Sequence, residues 1–473
     1  MFRRALTSKP TKAKGRSYLI KSKLKSLSLY TKTILMIITI TLIINLVAFS
    51  RSFCDFYTKH IYHHIANVIS RVTGILPFNL GEIMMYLVMI MAVIMIVGLL
   101  TLFIVLLVRR LAAVYNKKSI GLFYKKFRHC VAVYMKVILA TLVVTALIYT
   151  LNWFIPFRGS GAQVVADMNV EATAENDAGA NDNISPEATA GESTKANENV
   201  SGDNGVDTSD EREYTTEDLF SLRAILINNI NSLAEQVDRD ENGYIKQDED
   251  MYEEVVKAME GLSDIYPILD GYYPKVKLAY CSDILDFMGI GGYTYPYTME
   301  VTINKYTTYM DYGPLVAHEM AHHKGFYAER DANFISFLAG TNSDSRLLAY
   351  SSYRYILSYV TDECYTAANE MYNKDPEGTL EFLNKQPELS ARVKLDDQHN
   401  IEEYQKNYEA NVNKALEENV SQAAESVADV GWDTQADLLE EKNYDGVVLM
   451  LLKYYFHKTF KNKRLCCYMD RRF

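Results

Sequence analysis

Residues 82–108, EIMMYLVMIMAVIMIVGLLTLFIVLLV, carry one charged side chain, Glu82, at the very start of the run. As a helix this run is about 40 Å long. That exceeds the roughly 30 Å hydrocarbon core of a bilayer. It is apolar on every face, which a helix at the surface of a soluble domain is not. Two further runs share the property, TILMIITITLIINLVAFS at 33–50 and VAVYMKVILATLVVTALIYTLNWF at 131–154. Lys136 lies near the start of the last run, where its ammonium can snorkel to the headgroups. Spanning helices are therefore expected at about 33–50, 82–108 and 131–154, within a membrane domain over 33–158. No small-residue cleavage site comes after the first run, and two more spans do, so it reads as an anchor and not as a removable signal.

The two signs of charge are segregated. Through Arg158 the chain holds 22 Lys and Arg against two acids, Asp55 and Glu82; the remainder holds 27 bases and 57 acids. The bases of the front part sit in short clusters beside apolar runs, which excludes nucleic acid as a partner and makes membrane lipid the expected one. The strongest clusters are in residues 1–32 and in RRLAAVYNKKSIGLFYKKFR at 109–128. By the positive-inside rule the N-terminus and the second loop are cytoplasmic, and everything after about 156 is extracytoplasmic. The expected product is a multi-pass cell-membrane protein.

From 159 to 213 the chain has almost no large apolar residues and is rich in Ala, Asn, Glu, Asp, Ser and Thr. It cannot offset its ordering entropy by burial, so it reads as a disordered acidic linker. Its coil-like reach is on the order of 40 Å, enough for the domain beyond it to stand off the membrane or lie on it. After it, TTEDLFSLRAILINNINSLAEQV is an amphipathic helix with Thr215 or Thr216 as N-cap. KVKLAYCS (275–282) and MEVTIN (299–304) alternate as strands, and the glycines and proline of DFMGIGGYTYPYT between them mark a loop. Most of the rest is helical in pattern, at about 313–324, 328–340, 345–372, 400–428 and 444–460. The expected fold is α+β, mostly helical, with a small antiparallel sheet in a domain over 214–460. A basic tail, 461–473, ends the chain. The six cysteines show neither framework nor paired CxxC spacing, so no disulfide scaffold and no cysteine metal site is expected.

Within that domain stands HEMAHHKGFYAERDAN, residues 318–333. Histidines at i and i+4 share one helix face, so His318 and His322 can point at one metal ion, with Glu319 one step round to hold water; this is the HExxH pattern of zinc hydrolases. His323 is about 140° round the helix from His318 and faces elsewhere, on the surface or behind the site. Gly325 can end the helix in the left-handed conformation. A tetrahedral site needs a third protein ligand and an open position. HExxHxxGxxH would put a histidine at 328, where this chain has Ala328. The alternative pattern takes a Glu from the following helix, with an acid or amide four positions later orienting a ligating histidine. Glu329 and Asn333 satisfy it, with Asn333 accepting from a ring N–H. Asp331 is the rival ligand, on another face of that helix.

Here the chain resembles the bacterial membrane proteins known as domain of unknown function 3810. The resemblance runs from HIYHHIANVISRVTGILPFNLGEIMMYL through GIGGYTYPYTMEVTIN and HEMAHHKGFYAERDANFISFLAG to YDGVVLMLLKYY. Lys324, where zinc-peptidase patterns usually have an apolar residue, and Asp331, where a Glu is expected, depart from the pattern without removing a ligand or the base. The resemblance implies a membrane anchor joined to a gluzincin-like, zincin-fold metallopeptidase domain.

The expected function is a membrane-anchored extracytoplasmic zinc endopeptidase. Zn2+ on His318, His322 and Glu329 would acidify water and polarise the scissile carbonyl, and Glu319 would act as general base. The substrate would be a protein or peptide outside the cytoplasm, laid along MEVTIN by strand addition. Tyr444 and the tyrosines of YSSYRYILSY are candidates for the oxyanion donor. A second expectation is a catalytically silent zinc-fold binding or regulatory membrane protein, marked by loss of base or ligand; neither is lost. A channel is disfavoured because the spans offer no polar pathway.

A second metal motif precedes the first. DRDENGYIKQDE, residues 238–249, fits a calcium loop with Asp238, Asp240 and Asn242 at positions 1, 3 and 5, the Tyr244 carbonyl at 7 and Glu249 at 12. Lys246 at position 9 and the absence of a second loop count against it, and ENG is also an ordinary turn. Ca2+ is thus a second candidate cofactor.

Overall fold

The computed structural model of the chain describes residues 27–111, 117–162, 214–248, 250–412 and 445–456. Most of the linker, the N-terminal basic segment, the C-terminal tail, Glu249 and Tyr444 lie outside these residues.

Three helices are long and apolar enough to cross a membrane: α1 (Leu29–Val47), α4 (Leu80–Leu111) and α5 (Lys117–Tyr149), the last continued by a π-helical turn at Thr150–Phe154. Their apolar side chains are largely exposed, which fits membrane association. Between α1 and α4 the chain forms α2 (Arg51–Tyr57), a π-helical turn at Thr58–Tyr62 and α3 (His63–Thr73).

The second part is mostly helical. It comprises α6 (Thr216–Ala234), α7 (Met251–Glu260), β1 (Lys277–Leu278), α8 (Ser282–Phe287), β2 (Gly292–Tyr295) and β3 (Glu300–Ile303). Then come α9 (Tyr309–Lys324), α10 (Glu329–Thr341), α11 (Arg346–Lys374), α12 (Pro376–Leu383), α13 (Ala391–Asn411) and α14 (Asp445–Phe456). Thr215 caps α6 through a capping box with Asp218, satisfying two orphan N–H groups at once. α6, α7, α9, α10, α11 and α14 share one core in which Leu226, Ile230, Met320, Phe334 and Leu451 are fully buried. α9 lies at its centre, between the sheet on one side and α10, α11 and α7 on the others.

The sheet is mixed, in the order β1-β3-β2, with β1 parallel and β2 antiparallel to β3. This corrects the antiparallel expectation in three ways. The sequential neighbours β2 and β3 form the antiparallel pair, and β2 arises inside the stretch whose glycines mark a loop. β1 reaches the far side of β3 by a crossover through α8, the kind of connection a parallel pair requires. The strand expected over 275–282 shortens to two residues: the Ala279 N–H still donates to the Ile303 carbonyl at 2.9 Å, but the N–H groups of Tyr280 and Cys281 beyond it are taken by the Glu82 carboxylate at 2.7 and 3.2 Å. β3 is therefore the central strand. MEVTIN is thus not an edge of the sheet; its edges are β1 and β2.

The two parts of the molecule are joined by a buried junction. Cys54, Tyr57, Tyr62, Ala66 and Ile155 from the front part share a core with Met299 and Tyr327 from the second. The N–H groups of Leu80 and Gly81 at the start of α4 donate to the Glu300 carboxylate at 3.1 and 2.8 Å, and Lys277 pairs with the same group at 2.5 Å. Asn79 donates to Thr302 Oγ1 at 2.9 Å. Of Asp55 and Glu82, the only acids of the basic front part, Glu82 serves here and Asp55 holds the turn after α5. Asp55 accepts from the backbone N–H and hydroxyl of Ser160, and Glu82 holds the end of β1. The second part is thus seated on the ends of the apolar helices.

Candidate metal centre

α9 is buried without a break from Gly313 to Lys324, so its histidines are placed by packing on every side. Thr308 caps its start by accepting from the Asp311 N–H. Gly325 ends it at φ 106°, and a Cβ there would also meet Tyr62 at 3.2 Å, so both backbone and space require glycine. The turn Phe326–Ala328 then brings the first residue of α10, Glu329, back beneath α9.

The result is a cluster of three. His318 Nε2 lies 3.2 Å from Glu329 Oε2, and His322 Nε2 lies 3.6 Å from Glu329 Oε1. Among the described residues these are the one group of three His, Cys, Asp or Glu whose ligand atoms all fall within 4.8 Å of each other. Tetrahedral zinc bonds of about 2.0–2.2 Å set ligand atoms about 3.3–3.6 Å apart, so the donor set and the two distances from Glu329 suit that ion. The opposite ring nitrogens are both occupied. His318 Nδ1 is 2.7 Å from Asn333 Oδ1, and His322 Nδ1 is 2.8 Å from the Phe326 carbonyl. With both acceptors in place each Nδ1 carries a hydrogen, and each Nε2 faces the Glu329 carboxylate, where it can ligate once it gives up any proton. Asn333 is where the i, i+4 relation to Glu329 puts it. Phe326 is not legible in the sequence, because any residue offers a carbonyl. If Asn333 orients a ligand, Asn333→Ala is expected to keep the fold's histidines but lose about 10–100-fold in zinc affinity, measured by competition with a chelator. An unchanged affinity would reduce Asn333 to a packing residue.

Asp331 points elsewhere. It is buried, 3.4 Å from Arg330 Nε, and a Cβ on Gly161 would lie 2.0 Å from its Oδ2. Gly161, at φ 71°, is therefore needed for the turn after α5 to close on this carboxylate.

Glu319 sits beside the three, fully inside the protein. Thr294 Oγ1 of β2 is 2.7 Å from its backbone carbonyl and 3.1 Å from its Oε2, and a Cβ on Gly292 would lie 3.0 Å from its Oε1. Burial pushes its carboxyl pKa up, and the two histidines oppose that. Burial also acts on His322, but the charge and hydrogen bond of Glu329 outweigh it and push the imidazole up to about 9. Against its own burial, Glu329 is held well below the usual carboxylate range by His322 and His318. Strand β2 runs along Glu319. Its alternate backbone groups, at Gly292 and Thr294, point away from β3, because Tyr293 and Tyr295 face Thr302 and Glu300 across the ladder and the neighbouring Gly291 carbonyl bonds Asn304 N–H.

His323 is not a surface residue. It is 1% exposed beneath the junction, and burial with the neighbouring Lys324 holds it down to about 3, hence neutral. Tyr62 explains why this end of α9 is covered: its hydroxyl lies 3.0 Å from the His323 carbonyl and 3.1 Å from the Tyr327 hydroxyl, and the Tyr327 ring stacks on His322 at 5.9 Å. Of the tyrosines in YSSYRYILSY, Tyr350 donates to Asp396 and Tyr353 packs on Phe337. Tyr355 and Tyr359 instead face the centre. They bond each other, both feel the Glu329 charge, and the Tyr359 hydroxyl meets the Asn333 amide.

The calcium-loop residues are placed differently. Asp240 Oδ1 accepts from Asn242 N–H at 2.8 Å and Tyr244 N–H at 2.9 Å, and Arg239 pairs across the loop with Ile245. Arg239 also clamps Asp396 through two guanidinium nitrogens. Asp238 and Asp240 form no three-residue ligand group with other described residues. Glu249 lies outside them. Cys130, Cys281 and Cys364 are free thiols, and the Cys54 thiol donates to the Ala48 carbonyl at 3.3 Å.

No curated protein and no solved structure matches the chain. Residues 206–423 match the family described as Protein of unknown function (DUF3810), a stretch that contains α6 to α13 and every residue of the three-ligand cluster but not the apolar helices. This segment, which carries the histidine pair, Glu319 and Glu329, is thus a match to the DUF3810 family.

Proposed function

We propose that this chain is a membrane-anchored, extracytoplasmic zinc endopeptidase of the gluzincin kind. The observation that carries the reading is the pair of Nε2 atoms facing the Glu329 carboxylate, with both Nδ1 atoms held by acceptors and a buried carboxylate, Glu319, next to an open strand edge. His318, His322 and Glu329 would hold the ion. A zinc ion bound there supplies Lewis acidity, which acidifies water and polarises a peptide carbonyl.

The chain's own residues do the rest. The outward N–H and C=O groups of β2 bind an extended peptide by strand addition and hold its carbonyl beside the cluster. Glu319, its pKa raised by burial, takes a proton from the attacking water and passes it to the leaving amine. Thr294 keeps the Glu319 side chain turned to that edge. Tyr355, close enough to feel the charges of Glu319 and Glu329, is the hydroxyl this arrangement offers to the developing oxyanion. The test is zinc content together with casein cleavage by the full-length protein. A purified protein that holds no zinc under saturating conditions would overturn the reading.

The same site should respond to pH. A histidine must be neutral to ligate, and His322 at about 9 is protonated in the metal-free protein at neutral pH. Zinc binding at about pH 7.5 is thus expected to release about one proton from His322, and affinity to rise about tenfold per pH unit until pH approaches 9. Calorimetry in buffers of different ionisation enthalpy measures the release. Affinity that stays flat between pH 7 and 8.5 would show that His322 is already neutral.

The basic loops place residue 200 outside the cell. Protease added to intact cells should therefore cut the linker. Because of the buried junction, the cut fragment should stay with the membranes. Protection in cells whose surface controls are cut would overturn the topology, and prompt release into the medium would overturn the docking.

A further inference from the structure

The site is held at a fixed place, and that place lies beside the apolar helices. The strand that runs along Glu319 is fastened to them along its whole length. The Tyr293 hydroxyl accepts from Asn79 at 3.2 Å, and the Tyr295 ring lies against Gly81, where a Cβ would approach it to 2.6 Å. In the turn after β2, the Pro296 carbonyl accepts from Asn152 at 2.8 Å and the Thr298 carbonyl from Thr73 at 2.9 Å. Thr73 closes α3, and the other partners, Asn79, Gly81 and Asn152, stand at the ends of the spans. Leu80 begins α4, whose exposed apolar surface starts at Met84 and Met85. Asn152 lies in the π-helical turn that continues α5, beside the stacked rings of Tyr149, Trp153 and Phe157. Tyr and Trp at the end of an apolar helix mark the headgroup level. The β2 strand thus lies against the ends of the spans, beside their lipid-facing surface.

The long linker does not alter this. It joins the end of α5 to α6, but the contacts that position Glu319 and β2 run through the junction and bypass the linker. An extended chain lying on β2 is led by the same strand to the Asn152 and Tyr149 end of the spans. About 10 residues of extended chain cover roughly 33 Å, which sets how far an anchored substrate's cut site can lie from its own anchor.

Resting on the endopeptidase reading, we propose that the substrates are polypeptides anchored in the same membrane, by a spanning helix or a lipid, and cut in the extended segment within about 10 residues of the anchor. A freely soluble protein meets this edge only by diffusing to the bilayer surface and threading between membrane and sheet. An anchored one is already concentrated there, at the height of the strand.

The experiment compares new protein N-termini in cells carrying the full-length protein with those in cells carrying Glu319→Gln. The ends that depend on Glu319 are expected to fall within about 10 residues of spanning segments or lipidated cysteines. Ends scattered through ectodomains, or found mainly in unanchored secreted proteins, would overturn the substrate class while leaving the peptidase intact. The absence of any Glu319-dependent end would count against the peptidase reading itself, and this inference would fall with it.

Discussion

Glu319→Gln is expected to lower the cleavage rate by about 10²–10⁴-fold, the usual contribution of a positioned general base, while zinc content is unchanged. The amide has nearly the shape of the carboxylate and can still meet Thr294 Oγ1, so the fold around it should persist. Glu319 is not one of the three groups whose ligand atoms converge, so losing its charge removes the proton acceptor and no ligand. Zinc content and casein hydrolysis by the full-length protein in detergent decide it. Parallel loss of zinc and activity would make Glu319 a ligand, and undiminished cleavage would remove it from the chemistry.

The second large effect separates two carboxylates two residues apart. Glu329→Gln should lose most of its zinc, whereas Asp331→Asn should keep it. If three ligands share the binding of a structural-type zinc site roughly evenly, removing one costs about 4 kcal/mol, close to 10³-fold in affinity. Glu329 Oε2 and Oε1 face the two Nε2 atoms, and their charge is what raises His322. Asp331 is engaged by Arg330 and by the turn at Gly161, so Asp331→Asn should instead loosen the link to the end of α5. Stoichiometric zinc in the Glu329→Gln protein together with loss in Asp331→Asn would show that the other carboxylate is the ligand.

Much of the site is legible in the chain because it is written in local spacing. His318 and His322 share a face at i, i+4, and Glu329 and Asn333 repeat that relation on the next helix, so helix geometry alone brings each pair together. Gly325 is legible for the same reason, as a helix end that needs φ above zero. The three apolar runs are visible without any fold at all, since what matters is only that no face is polar over some 20 residues.

What local spacing could not supply was everything that depends on which surfaces meet. Alternation along MEVTIN shows a strand but not its neighbours, and two neighbours make β3 the centre of the sheet and β2 the edge. GYTY reads as loop because Gly292 is glycine; the reason it is glycine lies across space, where a Cβ would come within 2.8 Å of the Thr302 carbonyl and 3.0 Å of Glu319. His323 reads as outward-facing because a helix taken alone has an outside. Tyr62, 261 positions earlier, covers its end. A 55-residue polar linker suggests a domain free to wander, but Glu82, Asn79 and Tyr62 bind it through contacts that separate in sequence by about 200 residues. The sequence by itself determined which helices are apolar enough for a membrane and which residues can form the cluster, because both depend on neighbours within a turn or two of helix. Only the tertiary structure decided that β2 runs beside Glu319 and that β2 lies against the ends of the spans, because those depend on long-range burial and on hydrogen bonds whose partners no periodicity connects.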